Sequence, residues 1–435
     1  MSEASQNNTR SLIFATAGHV DHGKTSLVAN ITGIDTDTLA EEKKRGLTIV
    51  PGYAYHHFSS VIDGEEFQNT LGFVDVPGHI DFINNMLAGV GAVDGALLVI
   101  AADDGIMPQT REHLAILDLL AVSRGAIALT KTDRCDPERV RSVVEEIEQL
   151  KTGTSLKNAP IFPLSNETGS GIDDLSKYLE SQFSNDSGVK TAADDSQYFR
   201  YLIDRSFVAK GIGTVVTGSV RAGSTKTGAN LRHTATGELS KLRGARLDKA
   251  FHPINRMDVA LNFIDSNFKL HSSAQYHLHI GASHHIVNIR HLGESFYHIK
   301  CNATMIAHHG DRFIVRDPAS QHTLGGGSVV DIFVPRRRRS SELRLAQLSA
   351  MQNDSLTTLK LLLQTEADGV KLQEFATNRN IREAQIDKLC EQLQTESINY
   401  YSMRNTIVSI ARRSWAFLRI FMRSKPVNKA LVSPP

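Results

Sequence analysis

A glycine-rich segment near the start of the chain has the residue types needed to hold a polyphosphate. Its eight residues are Gly18, His19, Val20, Asp21, His22, Gly23, Lys24 and Thr25, directly after an apolar run. Glycines let successive backbone N–H groups turn toward a β-phosphate, and a following helix adds a favourable dipole. Lys24 supplies a positive charge for the β- and γ-oxygens, and the Thr25 hydroxyl can ligate Mg²⁺. The spacing therefore predicts a nucleoside triphosphate site, since a simple glycine turn does not explain Lys24 and Thr25 together.

A second segment, which contains Asp75, Gly78 and His79, follows another apolar run. A carboxylate at the end of a strand beside the phosphate loop can hold the Mg²⁺ shell through water. The Gly78 N–H can meet the γ-phosphate and change partner on hydrolysis. His79 is placed to orient an attacking water, so we expect it to be catalytic. Thr48, in a charged segment between the two motifs, is the candidate threonine that reaches Mg²⁺ only when a γ-phosphate is present.

Two later segments indicate which base is bound. Asp133 can accept hydrogen bonds from N1–H and the 2-amino group of guanine, a donor pair that adenine lacks, so it selects GTP over ATP. The methylene stem of Lys131 can lie along the base plane. Thr130 stands where this motif usually has asparagine, which leaves one bracing bond across the site open. Ser165 and Asn166 occupy the place of the last guanine loop, where the Asn166 N–H can meet guanine O6.

These motifs need a scaffold, and residues 12 to about 180 show the pattern of one. Five apolar runs are interpreted as buried strands: Leu12–Ala15, Leu71–Val76, Ala96–Ile100, Ala126–Leu129 and Ile161–Leu164. A helix is predicted to begin at Asp136-Pro137, with the aspartate as N-cap and the proline at the first helical position. Buried strands that alternate with helices predict a parallel sheet covered on both faces.

Changes in composition divide the rest of the chain. Glycine-punctuated β-branched runs favour barrels, and a helical pattern with a final strand pair favours a winged helix. The fold class predicted is multidomain: an α/β P-loop GTPase domain, two β-barrel domains and a helical, winged-helix-like region. The predicted segments are a disordered 1–11, the GTP-binding domain 12–182, a linker 183–197, barrels 198–270 and 271–339, a winged-helix-like domain 340–410 and a basic tail 411–435. The helices expected in the winged-helix-like domain are Leu356–Leu363, Leu372–Ala376 and Ile381–Leu393.

Composition excludes several classes of protein. Of the 435 residues, 41% are hydrophobic and 22% charged, which is typical of a soluble globular chain. No apolar run approaches the ~20 residues that cross a bilayer, the first residues lack a secretory signal, and three scattered cysteines fit a reducing cytoplasm. Although the net charge is only +1, the carboxy-terminal part of the chain is basic, with four arginines at 336–339 and no acidic residue after Glu396. Such a basic segment is suited to binding RNA, although a basic tail that is simply solvated explains the charges equally well.

Together the motifs resemble the translational GTPases and, within them, the selenocysteine-specific elongation factors. The more selective matches begin at Glu41 (Glu-Glu-Lys-Lys-Arg-Gly-Leu-Thr-Ile), Asn85 (Asn-Met-Leu-Ala-Gly-Val-Gly), Gln109 (Gln-Thr-Arg-Glu-His-Leu-Ala-Ile-Leu) and Leu129 (Leu-Thr-Lys-Thr-Asp-Arg). The resemblance implies an enzyme that hydrolyses GTP to GDP and phosphate with Mg²⁺, stimulated by the ribosome, to release selenocysteinyl-tRNA. It also implies that Arg205 and Arg243 line the aminoacyl pocket. Both residues could equally well be arginines of the barrel surface.

The resemblance has gaps, and these keep alternatives open. Arg256 and Asp258 stand where the family prefers glycine and arginine, and Ile80-Asp81 replaces its usual pair after the histidine. Only about 95 residues follow residue 340, so we expect the messenger-binding end to be missing or divergent, with an mRNA hairpin left open as a partner. An alternative is a GTP-regulated RNA-binding or regulatory protein that has lost selenocysteine insertion; an initiation factor subunit is a third. We expect a cytoplasmic monomer that contacts no membrane.

Overall fold

The computed structural model describes most of the chain. The described residues are 9–37, 40–45, 48–79, 82–90, 93–184, 190–191, 196–209, 213–225, 230–232, 239–241, 253–271, 273–365, 369–395, 400–403 and 406–409. They form an α/β domain, a β-rich middle and a helical region, in the predicted order. The predicted basic tail and residues 1–8 lie outside the described residues.

The α/β domain is built on one sheet. Its strands are β1 (Thr9–Ala17), β2 (Gly52–Ile62), β3 (Glu65–Asp75), β4 (Gly95–Ala101), β5 (Gly125–Thr130), β6 (Ile161–Pro163) and β7 (Lys190–Thr191). Its helices are α1 (Lys24–Thr32), α2 (Ala40–Arg45), α3 (Ile83–Val90), α4 (Pro108–Leu119), α5 (Pro137–Lys151) and α6 (Ile172–Ser181). The strand order is β2-β3-β1-β4-β5-β6, with β7 beside β1. Along β4, Leu98 and Ile100 enter one core cluster while Leu97 and Val99 enter another, so both faces are covered.

The sheet corrects two expectations and bears out another. It is mixed rather than parallel, because β2 and β7 run antiparallel to β3 and β1. The signal for β2 was the dipeptide Asp63-Gly64, whose left-handed φ angles of 52° and 83° form a hairpin turn. Residues 9–11 belong to β1 instead of a disordered terminus. As predicted, Asp136 caps α5, where it accepts a hydrogen bond from Arg139 N at 2.7 Å.

This topology brings the predicted motifs to one edge. Strands β1, β3 and β5 are parallel to their common neighbours, so their carboxyl ends lie on the same side of the sheet. The glycine-rich segment follows β1, Asp75 ends β3, and Thr130 ends β5. In open α/β sheets, ligands bind at this edge.

The β-rich middle contains a closed barrel. Its six strands are β12 (Ile254–Phe263), β13 (Tyr276–Ile280), β14 (Ser283–Gly293), β15 (Phe296–Met305), β16 (Arg312–Arg316) and β17 (Thr323–Asp331). Upstream lie two antiparallel pairs, formed by β8 (Arg200–Ala209) with β9 (Gly213–Ala222) and by β10 (Asn230–Arg232) with β11 (Leu239–Lys241). The predicted boundary at 270/271 is wrong, because β12 pairs with β15 and β17 and closes the second barrel. Within the predicted first barrel, residues 210–212, 226–229, 233–238 and 242–252 lie outside the described residues.

The carboxy-terminal region combines four helices with a small sheet. Its elements are α7 (Glu342–Met351), α8 (Ser355–Thr365), β18 (Val370–Lys371), α9 (Leu372–Arg379), α10 (Glu383–Thr395), β19 (Tyr400–Met403) and β20 (Thr406–Ser409). The strands pair in the order β18-β20-β19, as in a winged helix. Three of the helices were predicted, whereas α7 was not. Among the described helices, none has the length and apolar character needed to cross a membrane.

A buried ionic network joins α7 to the barrel. Arg344 Nη2 donates to Asp258 Oδ2 at 2.5 Å and to Asp331 Oδ2 at 2.8 Å. His298 Nδ1 lies 2.8 Å from the other Asp258 oxygen. All four side chains are buried. The negative charge at Asp258, which departs from the family pattern, is therefore balanced by Arg344.

The Arg344→Ala variant is expected to lose about 3 kcal/mol of unfolding free energy, because two buried carboxylates lose their cation. Urea denaturation followed by circular dichroism measures this loss. The matched control is Arg337→Ala, which removes an exposed arginine and should cost less than about 0.5 kcal/mol. Equal costs for the two variants would show that the network does not stabilise the junction.

Candidate nucleotide-binding site

The glycine-rich segment forms a tight loop between β1 and α1. Gly18, Asp21 and Gly23 have positive φ angles of 133°, 60° and 83°. A Cβ atom at Gly18 would lie 2.1 Å from the Val99 carbonyl oxygen, so the close approach of these backbones requires glycine. Gly23 immediately precedes α1, so the first N–H groups of that helix belong to the loop. Such a helix start is suited to an anion.

Lys24 is held inside this loop. Its Nζ donates to the carbonyl oxygens of His19 at 2.7 Å and Gly18 at 3.2 Å. The side chain is 6% exposed, and burial lowers the pKa of its ammonium to about 8 despite the opposing effect of Asp75. A Cβ atom at Gly78 would lie 2.4 Å from Lys24 Nζ, which shows that the two motifs meet at this point. The loop is therefore a cradle with one cation at its centre.

The three residues predicted to hold the metal lie together. Thr25 Oγ1 donates to Asp75 Oδ2 at 2.7 Å, and it lies 3.1 Å from Thr48 Oγ1. Hydroxyl and carboxylate oxygens are the hard ligands that Mg²⁺ prefers, directly or through water. The donor set present therefore fits a magnesium ion beside the phosphate loop.

Three further residues join this cluster, and sequence reasoning missed them. Thr16 and Thr36 donate to the two oxygens of Asp75 at 2.8 and 2.7 Å, and Thr48 donates to Asp37 Oδ1 at 2.9 Å. Burial raises the pKa of Asp37, against the hydrogen bond from Thr48, which lowers it. The run Asp35-Thr36-Asp37, just before the charged segment, was the available signal.

Two buried histidines, His22 and His113, lie in or against the glycine-rich loop. His22 is buried, and burial lowers its pKa to about 4. Burial also lowers the pKa of His113 to about 3, and its Nδ1 accepts a hydrogen bond from Gly18 N at 2.9 Å. His113 belongs to the selective motif that begins at Gln109, yet sequence reasoning gave it no role. His19 lies with its ring 5.1 Å from that of His22.

His79, the predicted catalytic residue, directly follows Gly78 at the end of the site that contains Lys24. It is half-buried in the turn after β3, with its ring 5.9 Å from that of Phe82. Its carbonyl oxygen accepts a hydrogen bond from Phe82 N at 3.0 Å, which holds the turn. Because Gly78 meets Lys24, the adjacent His79 is close to the phosphate loop.

Thr130 supplies the bracing bond that the sequence left open. Its Oγ1 donates to the His22 carbonyl oxygen at 2.7 Å and lies 3.3 Å from the Ile100 carbonyl oxygen. The side chain is fully buried at the end of β5. The Thr130 hydroxyl therefore connects the end of β5 to the phosphate loop.

The other predicted guanine residues surround the same end of β5. Asp133 is exposed in a short 3-10 helix, Thr132–Arg134. Lys131 has a left-handed φ of 56° and donates to Asp103 Oδ2 at 3.2 Å. Asn166 Nδ2 donates to the Gly23 carbonyl oxygen at 3.0 Å, and Ser165 Oγ accepts from Thr168 N at 3.2 Å. The end of β5, through Thr130, and the loop after β6, through Asn166, thus both contact the phosphate loop.

The Thr130→Val variant is expected to bind GTP about tenfold more weakly, because the buried His22 carbonyl oxygen loses its donor while the shape is kept. Fluorescence titration with a labelled GTP analogue measures the change. Thr130→Ser keeps the hydroxyl and should bind like the parent. Parent-like affinity in Thr130→Val would mean that the bracing bond does not support the loop.

The predicted aminoacyl pocket is described only in part. Arg205 lies on β8, and its Nη2 donates to the Pro51 carbonyl oxygen at 2.5 Å. This bond connects β8 to the start of β2 in the α/β domain. Arg243 lies outside the described residues, so the pocket stays a prediction.

Comparison with known proteins places these features in a family. Residues 9–185 match the model of the elongation factor Tu GTP binding domain, and residues 255–336 match the beta-barrel domain of selenocysteine-specific elongation factor. The second range begins near β12, in agreement with the corrected barrel boundary.

The same likeness extends over most of the chain. The selenocysteine-specific elongation factor from Desulfomicrobium baculatum is 34% identical over an alignment of 423 residues that covers 83% of this chain. The one from Haemophilus influenzae is 33% identical over an alignment of 466 residues that covers 92% of this chain. The chain spans 65% and 72% of the length of these relatives. The crystal structure of a bacterial selenocysteine-specific elongation factor is 27% identical, with a TM-score of 0.76 over 95% of this chain and 71% of that one.

Proposed function

The chain belongs to the family of selenocysteine-specific elongation factors, and from this premise we propose that it is a GTPase that delivers selenocysteinyl-tRNA to the ribosome. GTP hydrolysis to GDP and phosphate is the release step of this proposal. The observation that carries it is the meeting of Lys24, Thr25, Thr48 and Asp75 at one edge of the sheet. These residues combine a lysine cation that can bind phosphate with oxygen donors that can hold magnesium.

In the proposed mechanism each residue of the loop has one task. Lys24 binds the β- and γ-phosphates, while the N–H groups of residues 18–25 surround the β-phosphate. Thr25 and Thr48 would ligate the magnesium ion, and Asp75 would hold its water shell. The ion, when bound, neutralises the charge that develops between the β- and γ-phosphates.

Thr48 and Gly78 are the proposed sensors of the γ-phosphate. In the structure Thr48 donates its hydroxyl hydrogen to Asp37, which leaves the oxygen lone pairs that would face the metal when GTP is bound. Gly78 lies against Lys24 and can donate its N–H to the γ-phosphate. His79, next along the chain, orients the attacking water. Loss of the γ-phosphate frees both sensors, which is the usual basis of a GTPase switch.

Base selection is assigned to the loops after β5 and β6. Asp133 accepts from guanine, Lys131 lies along the ring, and Thr130 braces the loop through His22. Ser165 and Asn166 shape the remaining edge, and the Asn166 side chain is anchored to Gly23. This arrangement supports GTP as the nucleotide.

The cargo site is proposed at the junction of β8 with the α/β domain. A selenolate is ionised at neutral pH, so its pocket needs positive charge, and Arg205 with Arg243 would provide it. Arg205 is anchored to Pro51, three residues after Thr48. Cargo and nucleotide are thus connected through a short segment. The proposed setting is the cytoplasm, where the chain acts as a monomer on the ribosome.

The test is GTP-dependent binding of selenocysteinyl-tRNA to the purified chain in a filter-binding assay. We expect retention with a nonhydrolysable GTP analogue and not with GDP. Seryl-tRNA with the same anticodon is the matched control and should not be retained. Equal retention of both tRNAs would overturn the proposal in favour of a GTP-regulated RNA-binding protein without selenocysteine delivery.

A further inference from the structure

Glu42 and Asn85, which belong to two of the selective sequence motifs, both hydrogen-bond to the peptide group between Ile49 and Val50. The proposed function assigns no role to either residue. Glu42, in α2, accepts hydrogen bonds through Oε1 from the N–H groups of Ile49 at 3.1 Å and Val50 at 3.2 Å. Asn85, in α3, donates through Nδ2 to the carbonyl oxygen of Ile49 at 2.7 Å. Ile49 is therefore held by its N–H from one helix and by its carbonyl from another.

The local structure explains why these contacts matter. Residues 48–50 lie in neither a helix nor a strand, so their peptide groups need partners from outside regular structure. Glu42 is 1% exposed, and a buried carboxylate is costly unless donors surround it. The two backbone donors serve that need while they fix the course of the segment.

Ile49 directly follows the proposed metal-sensing threonine. Thr48 Oγ1 lies 3.1 Å from Thr25 Oγ1 and donates to Asp37. Because the two residues share a peptide bond, the position of Ile49 limits where the Thr48 hydroxyl can reach. Glu42 and Asn85 thus hold the residue next to Thr48, whose hydroxyl lies beside that of Thr25.

Helix α3 continues from Asn85 to the barrel. Met86, Leu87 and Val90 are buried in a core cluster that includes Ile314 of β16, and α3 lies against β13. Helix α3 therefore links Asn85 to residues of the barrel.

We propose that Asn85, braced by Glu42, is the positioning residue that couples Thr48 to α3 and so transmits the nucleotide state to the barrel. This inference rests on the proposed GTPase function, because it requires Thr48 to respond to the γ-phosphate. Asn85 touches neither nucleotide nor metal in this account. It acts only through Ile49.

The test compares nucleotide affinities of Asn85→Ala and the parent by calorimetry with Mg²⁺. Affinity for a nonhydrolysable GTP analogue should fall about tenfold, as expected for the loss of one partly buried hydrogen bond. Affinity for GDP should stay at the parent value, because GDP does not need Thr48 at the metal. Asn158→Ala, an exposed asparagine of the same domain, is the matched control and should change neither affinity.

Glu42 variants test the other side of the peptide. Glu42→Gln keeps an acceptor oxygen and should retain the parent's preference for the GTP analogue, whereas Glu42→Ala should lose it as Asn85→Ala does. The double variant should lose less than the product of the single losses, because both act on Ile49. Multiplicative losses would overturn the coupling.

The remaining outcomes separate this inference from the proposed function. A uniform loss for both nucleotides in Asn85→Ala, or no loss, would overturn the positioning role while GTP binding by the parent still stands. A parent chain that binds neither nucleotide would overturn the proposed function and this inference with it. If Asn85→Ala does not fold, Asn85→Asp preserves the shape without the donor and gives the same test.

Discussion

Replacement of Lys24 with alanine is expected to weaken binding of a nonhydrolysable GTP analogue by about 10³-fold, since charge-assisted bonds to two phosphoryl groups are lost. The ammonium is already placed in the loop by the carbonyl oxygens of Gly18 and His19, so little ordering is needed when nucleotide arrives. Calorimetry near neutral pH with Mg²⁺ measures the affinity. Lys177→Ala removes an exposed lysine of α6 and should leave it unchanged.

The pH dependence gives a second measurement of the same residue. Burial lowers the pKa of Lys24 to about 8 without nucleotide. A bound phosphate favours the charged ammonium, so binding takes up a proton wherever the free chain has lost it. Affinity should therefore fall as the pH rises through about 8, and this part of the fall should be absent from Lys24→Ala. Equal affinities of variant and parent at every pH would remove Lys24 from the phosphate site.

The site was predictable where its chemistry is contiguous in sequence. The residues from Gly18 to Thr25 are neighbours along the chain, and their spacing alone indicates a phosphate loop. Thr130 was harder, because its partner, the His22 carbonyl oxygen, is 108 residues away. His113 was missed for the same reason, because its partner, the Gly18 N–H, is 95 residues away. Asp37 lies only 11 residues from Thr48, so its run of polar residues was a local signal that was not used.

The fold shows the same limit. Buried strands such as β4 and β5 are continuous apolar runs, and the sequence predicts them well. Strand β2, at the sheet edge, has two buried residues and then alternates exposed with half-buried ones, so it has no such run. Strand β12 carries buried residues that would suit a strand of either barrel, and only its pairing with β15 and β17 decides. Local patterns predict elements, whereas partners are set by long-range packing.

His79→Ala is expected to bind GTP like the parent but to lose about 10³-fold of its ribosome-stimulated hydrolysis, in the range typical for removal of a group that acts on the nucleophile. The reason lies in the backbone. Gly78 contacts the phosphate loop at Lys24, while the hydrogen bond from Phe82 N to the His79 carbonyl oxygen holds the turn independently of the imidazole. Removing the ring therefore leaves the binding groups in place. Single-turnover hydrolysis with purified ribosomes measures the rate.

Two further variants separate a catalytic role from a structural one. His57→Ala removes an exposed histidine of β2 that lies beside Thr70, and it should hydrolyse GTP at the parent rate. His79→Gln keeps a side chain that can orient water, as glutamine does in other GTPases, and should recover part of the rate. Equal rates for His79→Ala and the parent would mean that the water is oriented elsewhere. A partial recovery by glutamine, with unchanged GTP affinity, is the pattern that only a water-orienting side chain produces.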